Sequence, residues 1–170
     1  MRVRRLESSD ESQVLTINLS SRPGVAPLDS AELRRLCSVA NYHIVAERSP
    51  GEIVGYLLAF DNDADYDGEE FRTFRKNVSA PYIYIDQIAV AEASKETGVG
   101  RLLYEALGSM AHENAISTMC CEVNQVPPNP VSRAFHEKLG FRRLSTMTTA
   151  DQRFVELMVR GVYAETSTET

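Results

Sequence analysis

The chain has 170 residues, 43% of them hydrophobic and 25% charged, with a formal net charge of -6 and a pI near 5.1. These values predict one soluble globular domain with a single core. Because an acidic surface repels phosphates, we do not expect a nucleic acid partner. No apolar run approaches the ~18 residues of a membrane span, and the N-terminus lacks the apolar segment of a signal peptide. We therefore expect a cytoplasmic protein with no membrane partner.

The three cysteines agree with that compartment. Cys120 and Cys121 are adjacent, which leaves only Cys37 as a disulfide partner. Neighbouring cysteines in an apolar run are more often small core residues than nucleophiles. We therefore expect buried free thiols and no disulfide framework.

The first half of the chain alternates strand and helix patterns. A short strand is predicted at 2–6, followed by apolar residues at helical spacing. Asp29 is placed to cap a second helix. Two β-rich runs, 42–47 and 53–60, are joined by Arg48-Ser-Pro-Gly51, which predicts an antiparallel hairpin.

A long polar insert is predicted at 61–80. Its segment Asp63-Ala-Asp-Tyr-Asp-Gly68 is similar to the start of a calcium-binding loop, but Phe74 stands where a bidentate Glu is needed, and a strand precedes it instead of a helix. We interpret the insert as a solvated acidic loop and expect no metal site. Its negative field would attract a cationic amine. The carboxylates are those of Asp61, Asp63, Asp65, Asp67, Glu69 and Glu70.

The second half contains the clearest elements. Residues 82–90 are apolar on both faces except at Asp86 and Gln87, which predicts a central strand. The apolar stripe over 98–114 predicts a helix, and 116–123 predicts the next strand.

The C-terminal part closes the predicted sheet. Pro130 suits the first position of a helix that ends at Gly140, and two further strands then form a hairpin. This order of elements predicts an α/β protein with a mixed sheet. We expect one domain over 1–163 and a polar tail at 164–170.

The turn from Lys95 to Arg101 connects the central strand to its helix and contains Gly98 and Gly100. A helix that starts after such a turn presents free backbone N–H groups at the positive end of its dipole, which can hold a pyrophosphate. Position 103 is Leu, so the third glycine of the dinucleotide pattern is missing, and no Lys-Ser/Thr pair of a P-loop follows. Both of these nucleotide-binding interpretations are disfavoured.

The segment from Lys95 to Gly100 instead resembles the acyl-CoA signature of the GNAT-type N-acetyltransferases, Gln/Arg-x-x-Gly-x-Gly/Ala, with Lys in the first position. A later segment, Asn129-Pro-Val-Ser-Arg-Ala-Phe-His-Glu-Lys-Leu-Gly-Phe141, resembles that superfamily's Asn-x-x-Ala-x-x-Leu-Tyr-x-x-Leu-Gly-Phe block. The preceding Cys-Cys-Glu-Val-Asn run is similar to a little-characterised bacterial branch. The resemblance implies the GNAT fold, a mixed and mostly antiparallel sheet of about seven strands flanked by about four helices.

The resemblance also implies an activity, transfer of an acetyl group from acetyl-CoA to a primary amine of a small molecule or peptide. Direct attack would be assisted by a general base and a general acid. The departures at Lys95 and His136 motivate an alternative, a catalytically lapsed CoA-binding regulatory module, and the acidic insert motivates a calcium-tuned interaction domain. The identity of the acceptor amine and the oligomeric state are not evident from the sequence, and a homodimer is left open.

Acetyl-CoA is expected to lie along the central strand and across the turn that follows it. In the resembled superfamily the pantetheine arm bonds to the strand's backbone and the pyrophosphate to the turn. Asn129 matches an Asn that meets the cofactor there, although helix capping explains it equally well. The expected contacts are Ile88, Ala89, Val90, Lys95, Glu96, Thr97, Gly98, Val99, Gly100, Arg101 and Asn129.

Three residues are candidates for the chemistry. His136 stands where the superfamily carries a Tyr that protonates the departing thiolate, and an unperturbed imidazole, with a pKa of ~6.5, would be the better acid. The alternative for His136 is packing. Glu122 alternates with Cys121 and Val123, so it faces away from them and is a candidate base or an edge carboxylate. Asp86 is the competing base, and its alternative is a buried ion pair.

Overall fold

The computed structural model of the protein describes residues 1–79 and 81–162, so the predicted polar tail at 164–170 lies outside the described residues. The described part contains seven strands and five α-helices. The strands are β1 (Arg2–Arg5), β2 (Tyr42–Glu47), β3 (Ile53–Asp61), β4 (Tyr82–Val90), β5 (Thr118–Val126), β6 (Arg142–Thr148) and β7 (Phe154–Gly161). The helices are α1 (Glu11–Ser20), α2 (Ser30–Val39), α3 (Glu69–Asn77), α4 (Val99–Glu113) and α5 (Pro130–Lys138).

All seven strands form one sheet in the order β1-β2-β3-β4-β5-β7-β6. Every neighbouring pair is antiparallel except β4 and β5, which are parallel. A parallel pair requires a crossover connection, and here α4 supplies it. The predicted mixed sheet of about seven strands and the central place of β4 are confirmed, while the helices number five in the described residues where about four were expected.

The sheet carries a hydrophobic core on each face. Tyr84 and Cys120 belong to the core on the side of α1, α2 and α3. Ile85 and Cys121, the next residues along β4 and β5, belong to the core on the side of α4. This alternation is the period of a strand covered on both faces. Cys120 and Cys121 are free and buried, as the sequence predicts.

The segment predicted as a polar insert contains α3. Phe71 and Phe74 are fully buried, and their ring centroids lie 5.6 and 5.7 Å from that of Tyr84. The prediction of an entirely solvated loop is therefore wrong. Two phenylalanines three residues apart suffice to bury a helix face, but the seven polar residues around them in α3 hide this stripe in the sequence.

None of the helices in the described residues is both long enough and apolar enough to cross a membrane.

Candidate active site

The candidate site lies where β4 and β5 separate. The two strands pair only over four residues, from the pair Tyr82 and Thr118 to the pair Ile85 and Cys121. Each strand then continues for five residues without bonding to the other. Beyond the last pair the facing backbone edges no longer bond to each other, so they open a cleft in the middle of the sheet. Asp86 and Glu122 are the first residues past the separation.

A β-bulge at Asp86 shapes the site. Leu58 of β3 pairs with Gln87, whereas the next residue, Ala59, pairs with Ile85, so Asp86 is the extra residue. A bulge interrupts the alternation of faces. As a consequence, Asp86 and Gln87 both point toward α1 and α3: Tyr66 donates a hydrogen bond to Asp86 and Tyr56 donates one to Gln87.

The cleft forms a pocket of about 370 Å³. Asp86 and Glu122 lie in its lining, together with Tyr66 and Glu70 from the segment between β3 and β4. The loop between α1 and α2 covers one side of the pocket. Residues 22–27 of this loop contribute to the lining, as do residues 121–124 of β5.

Asp86 is held by two tyrosines. Tyr66 donates a hydrogen bond of 2.7 Å to Asp86 Oδ1, and Tyr84 donates a weak one of 3.5 Å. Burial nevertheless raises the pKa of Asp86 to about 6, since the two hydroxyls offset only part of the cost of removing the charge from water. The sequence interpretation of Asp86 as one half of a buried ion pair is wrong, because these partners are hydroxyl groups.

Glu122 faces the pocket from β5, on the side of the sheet opposite to Cys121 and Val123, as the alternation predicts. Its Oε2 atom is buried and has no hydrogen-bond partner among the described residues. Burial raises the pKa of Glu122 well above its usual 4.5, and the carboxylates of Glu70 and Asp86 raise it further. A carboxyl group with a raised pKa and a free oxygen can accept a proton near neutral pH.

The third carboxylate, Glu70, forms an ion pair within the pocket. Arg153 donates to Glu70 at 2.9 Å and also pairs with Asp151 at 2.9 Å. The acidic insert thus contributes one carboxylate to the pocket, while Asp63, Asp65 and Asp67 are exposed outside it. No group of three or more potential ligands in the described residues is arranged to hold a metal ion.

His136 is buried in the pocket wall, with 3% of its surface exposed. Its Nδ1 lies 2.7 Å from the carbonyl oxygen of Ser132, which can only accept, so Nδ1 carries the proton. Tyr104 then donates to Nε2 over 2.8 Å. Burial lowers the pKa of His136 to about 4. The expectation of an unperturbed imidazole is therefore wrong, because the rings of Tyr104, Phe135 and Phe141 enclose it.

The turn from Lys95 to Arg101 has the geometry that the sequence predicts. Gly98 is the N-cap of α4 with a φ of +88°, a left-handed conformation that favours glycine, and a Cβ there would have no neighbour within 4 Å. Within the described residues no side chain caps α4. Its first N–H groups therefore have no side-chain partner among these residues, which leaves them available to an anionic phosphate.

Gly100 has a different role. A Cβ at this position would lie 2.9 Å from Phe135, so its missing side chain allows α4 and α5 to pack closely. Gly100 is therefore required for the packing of these two helices.

The free edge of β4 supplies further polar groups. Ala91 donates its N–H to Val54 of β3. The backbone groups of successive strand residues point in opposite directions, so those of Val90 and Ile88 point away from β3. They face the side of β4 on which β5 no longer pairs with it. Ala89 points its groups to β3, so of the three expected strand contacts the cleft receives two.

Asn129 caps α5, because its side chain accepts a hydrogen bond of 3.2 Å from the N–H of Ser132. It also lies in the pocket lining. The capping interpretation is thus confirmed, and contact with a cofactor stays a prediction.

Three residues at or around the site, Asn18, Tyr66 and Arg22, are not among those that the sequence predicts. Asn18 is fully buried and donates to Tyr56, Gln87 and the carbonyl group of Ala26, so it anchors the loop over the pocket. A single Asn on the apolar face of a predicted helix could have indicated this role, because a buried amide requires hydrogen-bond partners.

Several solved structures are similar to this chain in fold. A structure of Ard1 from Thermoplasma volcanium is 20% identical over 94% of this chain and 96% of that chain, with a TM-score of 0.76. The ribosomal-protein-S18-alanine N-acetyltransferase from Escherichia coli is 15% identical over 99% and 98%, with a TM-score of 0.70. A phosphinothricin acetyltransferase from Sinorhizobium meliloti, in complex with AcCoA, is 19% identical over 94% and 87%, with a TM-score of 0.70.

At these identities the structures show a shared fold. No curated protein sequence matches the chain significantly. The model of the acetyltransferase (GNAT) family matches residues 12–141, most of the chain. Together with the separated strands and the glycine turn before α4, this match shows that the chain belongs to the GNAT acetyltransferase family.

Proposed function

We propose that the protein is an acetyl-CoA-dependent N-acetyltransferase that acts on a primary amine of a small molecule or peptide. The observation that carries this proposal is the pair Asp86 and Glu122, two carboxyl groups with raised pKa values placed side by side where β4 and β5 separate. A lapsed CoA-binding module would not require such a pair, and its burial costs stability.

Acetyl-CoA, when bound, supplies an activated thioester. The N-terminus of α4 and the turn before it would hold the pyrophosphate, assisted by the charges of Lys95 and Arg101. The backbone groups of Ile88 and Val90 would bond to the pantetheine arm. Solved structures of this fold with AcCoA, such as that of the phosphinothricin acetyltransferase, support this choice of cosubstrate.

Glu122 is the proposed base. An amine at the end of the pocket must lose a proton as it attacks, and Glu122 Oε2 is free to take it. Asp86, whose Oδ1 is already bonded to Tyr66, acts on Glu122 through its charge. Because the two carboxyl groups lie close together, they titrate as a pair, and the pair holds a proton at pH values above the pKa of an ordinary Glu.

His136 is the proposed proton donor to the departing thiolate. At neutral pH the imidazole is neutral, since its pKa is lowered to about 4. Its Nδ1–H is bonded to the carbonyl oxygen of Ser132 and its Nε2 accepts from Tyr104, so the neutral ring has no free proton to give. For this role Nε2 must first exchange the Tyr104 bond for a proton taken up from water, and the charge of a departing thiolate nearby favours that step because it raises the pKa of His136.

Substitution of the two carboxylates tests the assignment of the base. Glu122→Gln keeps the shape and removes the proton acceptor, so we expect turnover to fall by ~10² to 10⁴ while the affinity for acetyl-CoA is unchanged. Asp86→Asn removes a like charge beside Glu122 and lowers the pKa of Glu122. We therefore expect an active enzyme whose rate begins to rise at lower pH than in the wild type.

The exposed Glu113→Gln serves as the control and should match the wild type. If Asp86→Asn abolishes turnover and Glu122→Gln does not, the two roles are reversed. Acetyl-CoA binding without turnover on any amine, at any pH, would favour the lapsed module.

A further inference from the structure

The charged groups of the pocket leave three side chains unpaired. Arg153 is neutralised by Glu70 and Asp151. By contrast, Asp86 and Glu122 face the pocket with no cationic partner among the ion pairs of residues 1–79 and 81–162. None of the ion pairs formed in these ranges involves Arg22, which also lies in the pocket lining. The pocket thus presents two acidic groups and one basic group to a ligand.

Arg22 is fixed relative to the acidic groups through Asn18. Its guanidinium donates to Asn18 Oδ1 at 3.3 and 3.4 Å, and Asn18 Nδ2 donates to Gln87 Oε1 at 3.1 Å. Gln87 is the residue next to Asp86. The hydrogen bonds of Arg22 are long and are made to neutral groups, so its charge remains available to an anion.

The loop that carries Arg22 also encloses the pocket. Asn124 of β5 donates to the carbonyl oxygen of Pro23 at 3.2 Å, and Gly24 lies so close to Asn129 that a Cβ would approach its Nδ2 to 2.9 Å. These contacts connect the α1–α2 loop to the β5–α5 loop across the pocket. A volume of about 370 Å³ suits a small molecule better than an extended peptide.

We propose that the acceptor is a small zwitterion, a primary amine that also carries a carboxylate, as an amino acid does. The ammonium group would bind between Asp86 and Glu122, and the carboxylate would bind Arg22, whose planar fork matches two carboxylate oxygens. This inference rests on the proposed acetyltransferase function and narrows its substrate class. Arg22 is here a specificity-determining residue.

The test compares each acid with its carboxamide, which keeps the amine and removes the negative charge. Acetyl-CoA-dependent thiol release is measured with the common α-amino acids that have a primary amine, with straight-chain ω-amino acids, and with the corresponding amides. For the best acceptors we expect wild-type kcat/KM to favour the acid by roughly 10- to 100-fold, the range for a hydrogen bond to a charged group. Arg22→Gln should remove this preference by slowing the acid and leaving the amide unchanged.

Two further variants sharpen the comparison. Arg22→Lys keeps the charge but loses the fork, so it should retain part of the preference. Arg72→Gln removes one positive charge at an exposed position of α3 outside the pocket and should retain all of it. Because Arg22 is exposed, the melting temperature of Arg22→Gln should equal that of the control.

Several results would overturn the inference while leaving acetyl transfer intact. They are equal rates for acid and amide in the wild type, an acid preference that survives in Arg22→Gln, and acetylation of peptides with none of the amino acids. Absence of transfer to every amine, acid, amide and peptide would instead overturn the proposed function itself.

Discussion

The imidazole of His136 shows how strongly burial changes a residue that the sequence marks for catalysis. Its place in the Asn129–Phe141 block is evident from the sequence, but its pKa is not. The pKa depends on packing against Tyr104 of α4 and on the nearby charge of Arg160 of β7, which come from two other segments and meet His136 only in the folded chain. The sequence pattern therefore identifies His136 as a candidate, but its protonation state depends on packing in the folded chain.

Two measurements on His136→Phe separate catalysis from packing. If His136 is the acid, turnover should be ~10² to 10⁴ lower in the variant than in the wild type, while the affinity for acetyl-CoA is unchanged. The exposed His112→Phe on α4 is the control. Wild-type turnover in His136→Phe would assign the ring to packing alone.

The second measurement is stability against pH. The folded protein holds His136 with a pKa of about 4, below the 6.5 of the unfolded chain, so the unfolded chain binds the proton more readily. The contribution to stability is therefore complete above pH 6.5 and is lost as the pH falls toward 4. From pH 7 to 4, the wild type should lose about 3 kcal/mol more unfolding free energy than His136→Phe. Parallel curves for the two proteins would contradict this pKa shift.

At the scale of elements, the strand-turn-helix unit of β4 and α4 carries the predicted cosubstrate site. Acetyl-CoA at a hundred times its dissociation constant should stabilise the wild type by about 2.7 kcal/mol, visible as a rise in melting temperature. The charge reversals Lys95→Glu and Arg101→Glu together should remove most of that rise, because they place carboxylates beside the bound pyrophosphate.

The control reverses two exposed charges elsewhere, Lys138→Glu and Arg142→Glu, and changes the net charge equally. A bulky residue at Gly100 would be a poor test, since it would displace Phe135 and disturb α5. An unaltered melting shift in the Lys95 and Arg101 variant would place the cosubstrate elsewhere.

The elements also show where sequence patterns succeed. The sequence predicts the long segments β4 and α4 with nearly correct ends, because β4 is apolar on both faces and α4 has a continuous apolar stripe. α3 is not predicted because Phe71 and Phe74 are its only apolar residues, and the third buried residue of this helix, Glu70, is charged. The bulge at Asp86 could not be predicted either, since it depends on how β3 pairs with β4 and leaves no mark in β4 alone.

On the scale of the whole molecule, the formal net charge of -6 gives the protein a field that concentrates cations. Asp63, Asp65 and Asp67 are exposed in the segment around Tyr66, which lines the pocket, so they stay candidates for attracting an amine. Asp61 is different, because its carboxyl is half-buried beside Tyr42 and burial raises its pKa.

Replacing Asp63, Asp65 and Asp67 by Asn should raise the KM for a monocationic alkylamine and flatten its dependence on ionic strength, since exposed charges are screened over roughly 8 Å at physiological salt. The affinity for acetyl-CoA should be unaltered. A control with Glu105, Glu113 and Glu137 replaced by Gln has the same net charge, and it should keep the salt dependence of the wild type. Equal flattening in both variants would attribute the effect to net charge alone.

The bulge in β4 also bears on how this chain can vary in length. Up to Ile85 the strand is bonded to both β3 and β5, and after Asp86 it is bonded only to β3. The single extra residue therefore determines which backbone groups beyond it point toward β3. Deleting Asp86 would remove the bulge, because Ile85 and Gln87 would then be consecutive and could keep their partners Ala59 and Leu58. Ile88 and Val90 would still direct their backbone groups away from β3, but the pocket would lose one of its two unpaired carboxyl groups. We therefore expect the sheet to tolerate a one-residue deletion at this position and the site not to tolerate it.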